Sequence, residues 1–542
     1  MVSAPQVTFA GELLNVHFDD FGIEAYPMFL RVKALPESTV HFDRETSTYR
    51  VSAPARFASM LGVRQPAPQR DWLPFPAWMY EDQQHVTGLA LTAKRYACWS
   101  DCGWGKTLLM LEFARQVIHR TGGRFLIITM NSIVSQFIRE AKTFYGDELP
   151  IIRLNSREEM KAFCRGELGE CKLAIVNYEK MNHGDDDQVI PEMRLLAGIG
   201  LDESSRLKTG GGVQKWAIIK SCKGIEYKLS CTATPAPNNA MEFASQASFL
   251  EKLRDGEEIL WTYFERDPVS HRWRLRKHAK DQFFEAMAAW SIYIRDPKRY
   301  GWRKNAVEVP APEIKVHRLA LSDEQRRAMG VHVTDNSGQR SLFPTNATNA
   351  VQRNKLSQLA KGFAYTKSES DGKFRRIHSC KPQFIADGIV AEVREGLQVL
   401  VWTVFDAEST ILSEQLTAAG VNHSLITGKT KEADRERLTN EFCDGTLPVL
   451  VTRASMLGFG RNFQACGSMW FSGWSDSYES YYQAIRRAVR HGQKRSVRVH
   501  IPVIEELEGD MLDNIFHKQA AHEAAIREME ANYIRIMQRR AA

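Results

Sequence analysis

Residues 96–107 read Tyr-Ala-Cys-Trp-Ser-Asp-Cys-Gly-Trp-Gly-Lys-Thr, and the helix-forming stretch 108–116 follows them. The apolar start, the glycine-containing turn and the helical continuation predict a strand, a loop and a helix in succession. Gly103 and Gly105 would allow backbone amides to close around phosphate oxygens, and Lys106 could then reach the β and γ phosphates of a nucleotide. Taken alone, the stretch could also be an ordinary glycine turn, because short motifs arise by chance.

Two further features favour a hydrolytic site. Thr107 has a hydroxyl that can bind Mg²⁺, and residues 200–205 read Gly-Leu-Asp-Glu-Ser-Ser. Asp202 would hold the metal and Glu203 would orient or deprotonate the attacking water, which is the division of labour that phosphoryl hydrolysis requires. An Asp-Glu pair alone is more often a solvated surface feature, but its place downstream of Lys106 and after an apolar segment favours catalysis.

A third segment, 229–235, reads Leu-Ser-Cys-Thr-Ala-Thr-Pro. Thr232 and Thr234 have small hydroxyl side chains that could sense the γ-phosphate and transmit its presence to a bound polymer. Without its neighbours, the segment would be interpreted as a strand that ends in a turn at a proline.

The segment 482–493 carries a pair of arginines near the C-terminal end of the chain. Arg487 and Arg490 are three residues apart, so on a helix they share one face and could point together at a phosphate. A guanidinium suits that task because it stays charged and makes bidentate contacts. The alternative is a solvated basic helix or a contact with a nucleic-acid backbone.

The composition is that of a globular protein. With 542 residues, 43% of them hydrophobic and 25% charged, the chain can bury a large core and predicts roughly three to five domains. The nine cysteines include no C-x-x-C pair and indicate neither a disulfide framework nor a zinc finger. A formal charge of +7 permits a nucleic-acid partner without requiring one. No apolar run is long enough for a membrane span, and the N-terminus has no leader pattern, so we expect a cytoplasmic protein.

The apolar pattern predicts several structural units. Residues 39–43 and 46–51 read as a β-hairpin in a small β-rich module. Apolar strands and helical stretches then alternate twice, which is typical of parallel α/β sheets. We predict helices that bridge two halves at about 250–310, a surface loop at 335–350 and a helix over the last 35 residues. The individual predictions are strands at 125–129, 173–176, 399–405, 449–452 and 497–503, and a helix at 133–144.

The ordered motifs resemble the Swi/Snf-type ATPases of helicase superfamily two over roughly residues 77–505. The similar segments, in the family's order, are MYEDQ, SDCGWGKT, FLIITMNSIVSQFIRE, IVNYE, LDESS, CTATP, VLVWTVF, GFGRNF and QAIRRAVRHGQ. The sequence of the last blocks resembles bacteriophage-encoded members more than chromatin remodellers. Three positions depart from the family pattern: Glu81 and Asp82 replace a proline and an aromatic residue, and Arg486 stands where many superfamily members have glycine.

The resemblance implies an α/β fold with two tandem RecA-like parallel-sheet lobes, a small N-terminal β-rich module and helical insertions. The implied domains are the module at 1–76, lobe 1 at 77–300 with a helical insertion from about 250, lobe 2 at 301–505, and a C-terminal helix at 506–542. ATP and Mg²⁺ would bind in the cleft between the lobes. Further implied residues are Gln83 and Gly460 for the nucleotide, Gln483 for coupling, and Asn131, Ser132, Asn177, Lys208, Thr403 and Thr452 for DNA.

The resulting hypothesis is a DNA-stimulated ATPase that moves along double-stranded DNA without sequence preference, with an unknown partner protein in replication, recombination or defence. An RNA helicase is one alternative. Another is a motor subunit of a restriction or nuclease system, because Asp296 with Glu313 and Lys315 resembles a nuclease cluster, although a strand is the simpler interpretation of 313–315. A DNA-binding scaffold without catalysis is disfavoured because all the predicted catalytic residues are present.

Overall fold

The computed structural model describes most of the chain. The described residues are 5–10, 13–19, 21–22, 25–35, 37–55, 58, 61, 63, 71–101, 103–181, 189–208, 213–235, 243–252, 257–266, 268, 273–302, 309–330, 349–365, 373–454, 463–473, 478–490 and 493–541. The predicted surface loop at 335–350 therefore lies almost entirely outside them.

The N-terminal module is a four-stranded antiparallel sheet covered by one helix. Its elements are β1 (Gln6–Ala10), β2 (Leu13–Phe18), α1 (Ala25–Lys33), β3 (Thr39–Asp43) and β4 (Thr48–Pro54), with strand order β1-β2-β4-β3. Alternate residues of β2 and β4, such as Val16 and Val51, are buried together with Val32 of the helix, as expected for a sheet with one covered face. The predicted hairpin is confirmed by the pairing of β3 with β4.

The next sheet has seven strands, and we call it and its helices the first lobe. Its strands are β5 (Arg95–Ser100), β6 (Phe125–Thr129), β7 (Ile151–Arg153), β8 (Leu173–Asn177), β9 (Gly198–Asp202), β10 (Tyr227–Thr232) and, after the hairpin of β11 (Phe264–Arg266) and β12 (Trp273–Leu275), β13 (Ser291–Ile294). The order is β13-β5-β10-β9-β6-β8-β7, and neighbouring strands run parallel. The predicted strands at 125–129 and 173–176 are confirmed, and nearly every residue in them is fully buried.

The helices of the first lobe include the predicted helix at 133–144, which is confirmed. They are α2 (Glu81–Ala93), α3 (Lys106–Thr121), α4 (Asn131–Tyr145), α5 (Arg157–Arg165), α6 (Val213–Ser221), α7 (Phe243–Phe249), α8 (Glu257–Tyr263) and α9 (Lys280–Ala288).

The prediction of bridging helices at about 250–310 is incomplete, because the region contains strands as well as helices. Besides α8 and α9, this region contains the hairpin of β11 and β12, in which Trp273 packs edge-on against Trp261 with ring centroids 5.2 Å apart. It also contains β13, an edge strand of the first sheet whose four residues are all buried. The surrounding charges concealed this short apolar run, because only four residues carry the strand pattern.

The second lobe is built on a six-stranded parallel sheet with order β14-β21-β20-β17-β19-β18. These strands are β14 (Glu313–Leu319), β17 (Val399–Thr403), β18 (His423–Ile426), β19 (Val449–Arg453), β20 (Ser468–Phe471) and β21 (Arg498–Ile504), and β15 (Phe363–Tyr365) pairs separately with β16 (Phe374–Arg376). The helices are α10 (Asp323–Gly330), α11 (Asn349–Ala360), α12 (Cys380–Arg394), α13 (Asp406–Ala418), α14 (Glu432–Cys443), α15 (Tyr478–Ile485) and α16 (Glu505–Ala541). Two parallel-sheet lobes are thus confirmed, while the exact domain limits stay a prediction.

The C-terminal helix α16 contacts both lobes. Near its start, Glu508 accepts hydrogen bonds of 2.6 Å from both Lys361 and Lys381, and all three side chains are buried in the second lobe. Further along, Met529 and Tyr533 belong to the hydrophobic core of the first lobe. The predicted C-terminal helix is confirmed, and it joins the two lobes along its 37 residues. Among the described residues, no helix is long and apolar enough to cross a membrane.

Candidate nucleotide site between the two lobes

The predicted phosphate-binding loop connects β5 to α3. Gly105, directly before the helix, has a φ of 102°, a left-handed conformation that favours glycine. A Cβ atom at this position would lie 2.3 Å from Nε2 of Gln83, so any other residue would also force that amide to move. The first amides of α3 point toward the loop and form a site suited to an anion.

Lys106, the first residue of α3, reaches back across the loop. Its Nζ donates hydrogen bonds to the backbone oxygens of Ser100 at 2.8 Å and Asp101 at 3.1 Å. The ammonium group is therefore held at the centre of the loop, where phosphate oxygens could replace these two carbonyls. Thr107 follows Lys106 in the chain, and both residues line a cavity next to the loop.

The two predicted acidic residues lie at the carboxyl end of β9. Asp202 is buried, and its Oδ2 accepts a hydrogen bond of 2.8 Å from Thr129. Burial, followed by the nearby Glu203 carboxylate, raises the pKa of Asp202 to about 6. Asp202 and Thr107 offer the hard oxygen ligands that Mg²⁺ prefers, together with room for phosphates, so the residues fit this cation.

Glu203 occupies a strained position. Its φ of 53° is left-handed, which is uncommon for a residue other than glycine and often found at functional sites. Its Oε1 accepts hydrogen bonds from Thr232 at 2.8 Å and Ser205 at 2.9 Å. The backbone amide of Thr234 in turn donates to the Thr232 hydroxyl at 3.1 Å, so two of the predicted motifs meet here.

Residues of the second lobe complete the cavity. Arg487 and Arg490 line it together with Lys106, Thr107, Asp202 and Glu203 of the first lobe, and the enclosed volume is about 480 Å³. The remaining lining residues are Tyr80, Gln83, Gly103, Trp104, Gly105, Leu108, Ile133, Gln136, Glu140, Phe144 and Gln464. The structure thus brings together residues that are almost 400 positions apart in the chain.

Gln483 provides a direct hydrogen bond between the lobes. Its Nε2, on α15 of the second lobe, donates to Oε1 of Glu203 at 3.3 Å. A change in the position of Glu203 would therefore alter a contact of α15, the helix that precedes Arg487 in the chain. The predicted coupling role of Gln483 has a structural basis in this contact, and it stays a prediction.

Gln83 is buried at the start of α2, and both ends of its amide are engaged. Its Nε2 donates to the backbone oxygen of Trp104 at 2.9 Å, and its Oε1 accepts from the backbone amide of Tyr80 at 3.2 Å. Asp82, which departs from the family pattern, accepts a hydrogen bond of 2.7 Å from the Trp104 indole. These contacts fix α2 to the phosphate-binding loop, and the adenine-binding role of Gln83 stays a prediction.

Three of the predicted DNA contacts cluster on the first lobe. Oδ1 of Asn131 accepts hydrogen bonds from Asn177 at 3.0 Å and from Arg153 at 3.1 Å. Asn131 and its neighbour Ser132 are exposed. This surface patch lies at the carboxyl ends of β6 and β8. Arg153 was not among the DNA contacts predicted from the sequence.

The DNA contacts predicted on the second lobe are not supported. Thr403 is 2% exposed, and its hydroxyl hydrogen-bonds with Ser409 at 2.7 Å and donates to the backbone oxygen of Thr452 at 3.2 Å. Thr452 is itself fully buried. Both hydroxyls lie inside the lobe and cannot reach a polymer in this conformation. Gly460 and the side chain of Lys208 lie outside the described residues.

Sequence reasoning missed two groups of site residues. The first comprises Gln136, Glu140 and Phe144, which line the cavity from one face of α4 at helical spacing. Burial is the main cause that raises the pKa of Glu140, against an opposing effect of Arg490. The second comprises Asp101 and Tyr482, which contact each other across the lobes. For Gln136, Glu140 and Phe144, the spacing of four residues was the sequence pattern that could have placed them on one face of a helix.

Two protein-family models match the chain. Residues 78–237 match the model described as "Type III restriction enzyme, res subunit", and residues 380–492 match the helicase conserved C-terminal domain. These matches fall on the first and second lobes. With the cavity between them, they define a helicase-class ATPase with two RecA-like lobes.

Individual relatives narrow the class. The chain is 26% identical over 482 residues to protein p41 of Acyrthosiphon pisum secondary endosymbiont phage 1, covering 82% of this chain and 96% of that protein. It is 21% identical over 472 residues to the SWI/SNF-related matrix-associated actin-dependent regulator of chromatin subfamily A containing DEAD/H box 1 homolog of Caenorhabditis elegans, covering 74% of this chain and 46% of that protein. By these matches the chain is similar to Swi/Snf-type helicases of superfamily two, and one of its relatives is encoded by a phage.

One solved structure is also similar in part. The Sulfolobus solfataricus SWI2/SNF2 ATPase core in complex with dsDNA matches with a TM-score of 0.35 and 15% identity, covering 86% of this chain and 98% of that chain.

Proposed function

We propose that this protein is an ATP-driven motor that moves along double-stranded DNA and whose hydrolysis is stimulated by that DNA. The observation that carries the proposal is the single cavity that is lined by Lys106 and Glu203 of one lobe and by Arg487 and Arg490 of the other. Such a site is complete only when the lobes are together. Hydrolysis is therefore tied to the relative position of the lobes, which is what a stepping motor requires.

The chemistry at the phosphates follows from the side chains present. The amides of the loop and Lys106 would bind the β and γ phosphates, and the two arginines would stabilise the charge that develops on the transferred phosphoryl group. Thr107 and Asp202 would hold Mg²⁺, which supplies charge neutralisation between the phosphates when it is bound. An arginine in this role is worth roughly 10³- to 10⁵-fold in turnover.

Glu203 would orient or deprotonate the attacking water. Its Oε1 already accepts from Thr232 and Gln483, which leaves Oε2 as the oxygen better placed to serve the water. Since Gln483 belongs to the second lobe, the orientation of the carboxylate depends on closure of the cleft. Water attack and lobe movement would be coupled through this one carboxylate.

The proposed polymer is double-stranded DNA, bound through its backbone. The exposed patch on the first lobe offers amide, hydroxyl and guanidinium donors from Asn131, Ser132, Asn177 and Arg153. Such donors suit contacts with phosphates, which do not depend on the base sequence. The modest overall charge of +7 agrees with a local rather than a global basic surface.

The test compares the wild type with Lys106→Ala and Glu203→Gln in ATPase assays with duplex DNA, single-stranded DNA and RNA. We expect both variants to lose turnover by roughly 10³-fold while they keep the melting temperature of the wild type within a few degrees. Duplex DNA should stimulate the wild type most, and displacement of a triplex-forming strand should report movement. Hydrolysis at the wild-type rate in both variants would remove the ATPase assignment, and stronger stimulation by RNA would favour an RNA helicase.

A motor subunit of a restriction system is the second candidate, because the family model matched by the first lobe is that of a restriction enzyme subunit. The described part of the chain contains no group of three or more His, Cys, Asp or Glu side chains that could hold a nuclease metal. Glu313 lies on the edge strand β14 and forms an ion pair of 3.0 Å with Lys315, and Asp296 caps a short helix. In that case we propose that a separate subunit cleaves the DNA, and nicking of plasmid DNA by this chain with Mg²⁺ would contradict that proposal.

A further inference from the structure

Asp101, an acidic residue of the phosphate-binding loop, forms an ion pair with Arg486 of the second lobe. The carboxylate of Asp101 accepts a hydrogen bond of 3.0 Å from Nε of Arg486 on its Oδ1, and Nη2 of the same guanidinium contacts its Oδ2. The hydroxyl of Tyr482 donates to Oδ1 as well. The guanidinium and the carboxylate thus form a bidentate pair, the strongest and most directional geometry for these groups.

The pair lies between the two halves of the proposed catalytic site without being part of its surface. On the first lobe, the backbone oxygen of Asp101 accepts one of the two hydrogen bonds that hold Lys106. On the second lobe, Arg486 directly precedes Arg487, which lines the cavity. Neither Asp101 nor Arg486 lines that cavity.

The surroundings make this contact hard to replace by water. The side chain of Asp101 is 8% exposed and that of Arg486 is 20% exposed. A buried ion pair is costly to break by removing one partner, because the remaining charge is left in a poorly solvated place. The contact is therefore suited to fix geometry rather than to form and break freely with solvent.

Groups of other elements, one exposed and one buried, face the same carboxylate. Arg295, directly after β13, and His522 on α16 both interact electrostatically with Asp101. Tyr482 packs near His522 with ring centroids 6.3 Å apart. The loop, the edge strand of the first sheet, α15 and α16 thus converge at Asp101.

From this geometry we infer that Asp101 and Arg486 are positioning residues, which set the distance between Lys106 and Arg487 when the cleft closes on a nucleotide. The inference rests on the proposed ATPase function and adds to it a contact between the lobes that does not touch the substrate. The two charged side chains act through their sequence neighbours: Asp101 through the loop that holds Lys106, and Arg486 through the turn that presents Arg487.

A distinct kinetic signature follows. Removal of the pair leaves the loop and its lysine in the first lobe, so the KM for ATP should change by about twofold or less. The arginine would be misplaced in the closed cleft, and a misplacement of about 1 Å can reduce turnover by roughly 100-fold. A residue that binds the nucleotide directly would instead change KM.

The experiment measures kcat and KM for ATP, with saturating duplex DNA, in Arg486→Ala, Asp101→Ala, the double variant and Arg486→Lys. We expect kcat to fall by about 100-fold in each alanine variant and by no further factor in the double variant, since the two residues act as one unit. Arg486→Lys keeps the charge and should recover part of the activity. Arg437→Ala is the matched control, because Arg437 lies on the surface of α14 in a pair with Glu441 and should leave both constants unchanged.

Several results would overturn the inference: a wild-type kcat in Arg486→Ala, a raised KM with unchanged kcat, or effects that multiply in the double variant. If an alanine variant melts far below the wild type, Tyr482→Phe and Arg486→Lys replace it as the milder changes, and wild-type kcat in both would be equally contradictory. Lys106→Ala separates the two levels of the proposal. If this variant is inactive while Arg486→Ala is fully active, only the positioning role is wrong, whereas an active Lys106→Ala removes the ATPase assignment itself.

Discussion

Replacement of Gly105 by alanine should destabilise the phosphate-binding loop through two contributions that can be measured separately, one from backbone conformation and one from a steric clash. An alanine held at a φ of 102° costs about 1–3 kcal/mol. The new methyl group would also meet Nε2 of Gln83 at 2.3 Å and displace that amide. Gln83 would then lose its hydrogen bonds to Trp104 and Tyr80, which contribute about 1 kcal/mol each. The free energy of unfolding of the first lobe should therefore fall by about 3–5 kcal/mol.

Two companion variants separate the contributions. Gly169→Ala places alanine at a φ of 79° in open space, with no atom within 4 Å of the new Cβ, so only the backbone cost of about 1–3 kcal/mol applies. Gln83→Ala removes the clashing amide beforehand. The double variant Gly105→Ala with Gln83→Ala should therefore be less destabilised than the sum of the two single variants by about 2 kcal/mol.

The assay is urea denaturation of each variant, together with binding of a fluorescent ATP analogue. Gly105→Ala should unfold at lower urea concentration and bind the analogue at least about tenfold more weakly, since its loop amides no longer converge. Gly169→Ala should bind the analogue like the wild type. Equal stability losses in Gly105→Ala and Gly169→Ala, or strictly additive losses in the double variant, would refute the steric reasoning.

Three other predictions concern acid titration, the C-terminal helix and DNA. Because the pKa of Asp202 is raised to about 6, the folded chain holds this proton more tightly than the unfolded chain, and the group destabilises the fold as pH rises from about 4 to about 6. The melting temperature of Asp202→Asn should therefore exceed that of the wild type above pH 6, and the difference should vanish near pH 4; a constant difference would contradict this sign. Glu508→Gln leaves Lys361 and Lys381 buried with one neutral partner and should destabilise the second lobe by about 3–5 kcal/mol in urea titrations, whereas a loss below about 1 kcal/mol would show that the cluster is dispensable. Asn177→Ala should raise the DNA concentration for half-maximal ATPase stimulation by about tenfold, and an unchanged value would remove the patch around Asn131 from the DNA path.

Local sequence signals were sufficient where a few adjacent residues dictate both structure and chemistry. The run Phe125–Thr129 was recognisable because four consecutive apolar residues, typical of a strand covered on both faces, precede its final threonine. The loop before Lys106 was recognisable because glycines at 103 and 105 are needed for left-handed backbone next to a phosphate. Such features require no knowledge of distant parts of the chain.

Contacts between distant segments escaped sequence reasoning. The partner of Asp101 lies 385 residues away, and an aspartate in a loop or an arginine in a basic stretch is more often solvated. The resemblance implied that Thr403 contacts DNA, but here its hydroxyl hydrogen-bonds with Ser409 inside the lobe. The strand at Ser291–Ile294 was hidden among charges. In each case tertiary packing decided the environment of the side chain.

The proposal that Lys106 and Arg487 act on the same nucleotide can be examined by determining the structure of the chain with Mg²⁺, duplex DNA and ADP bound to a phosphoryl transition-state mimic. We predict that the lysine ammonium and the guanidinium will both contact the mimic of the γ-phosphate, with Asp202 and Thr107 at the metal and the Asp101–Arg486 pair intact. A nucleotide held by Lys106 alone, with Arg487 directed away from the mimic in the DNA-bound complex, would contradict the proposed mechanism.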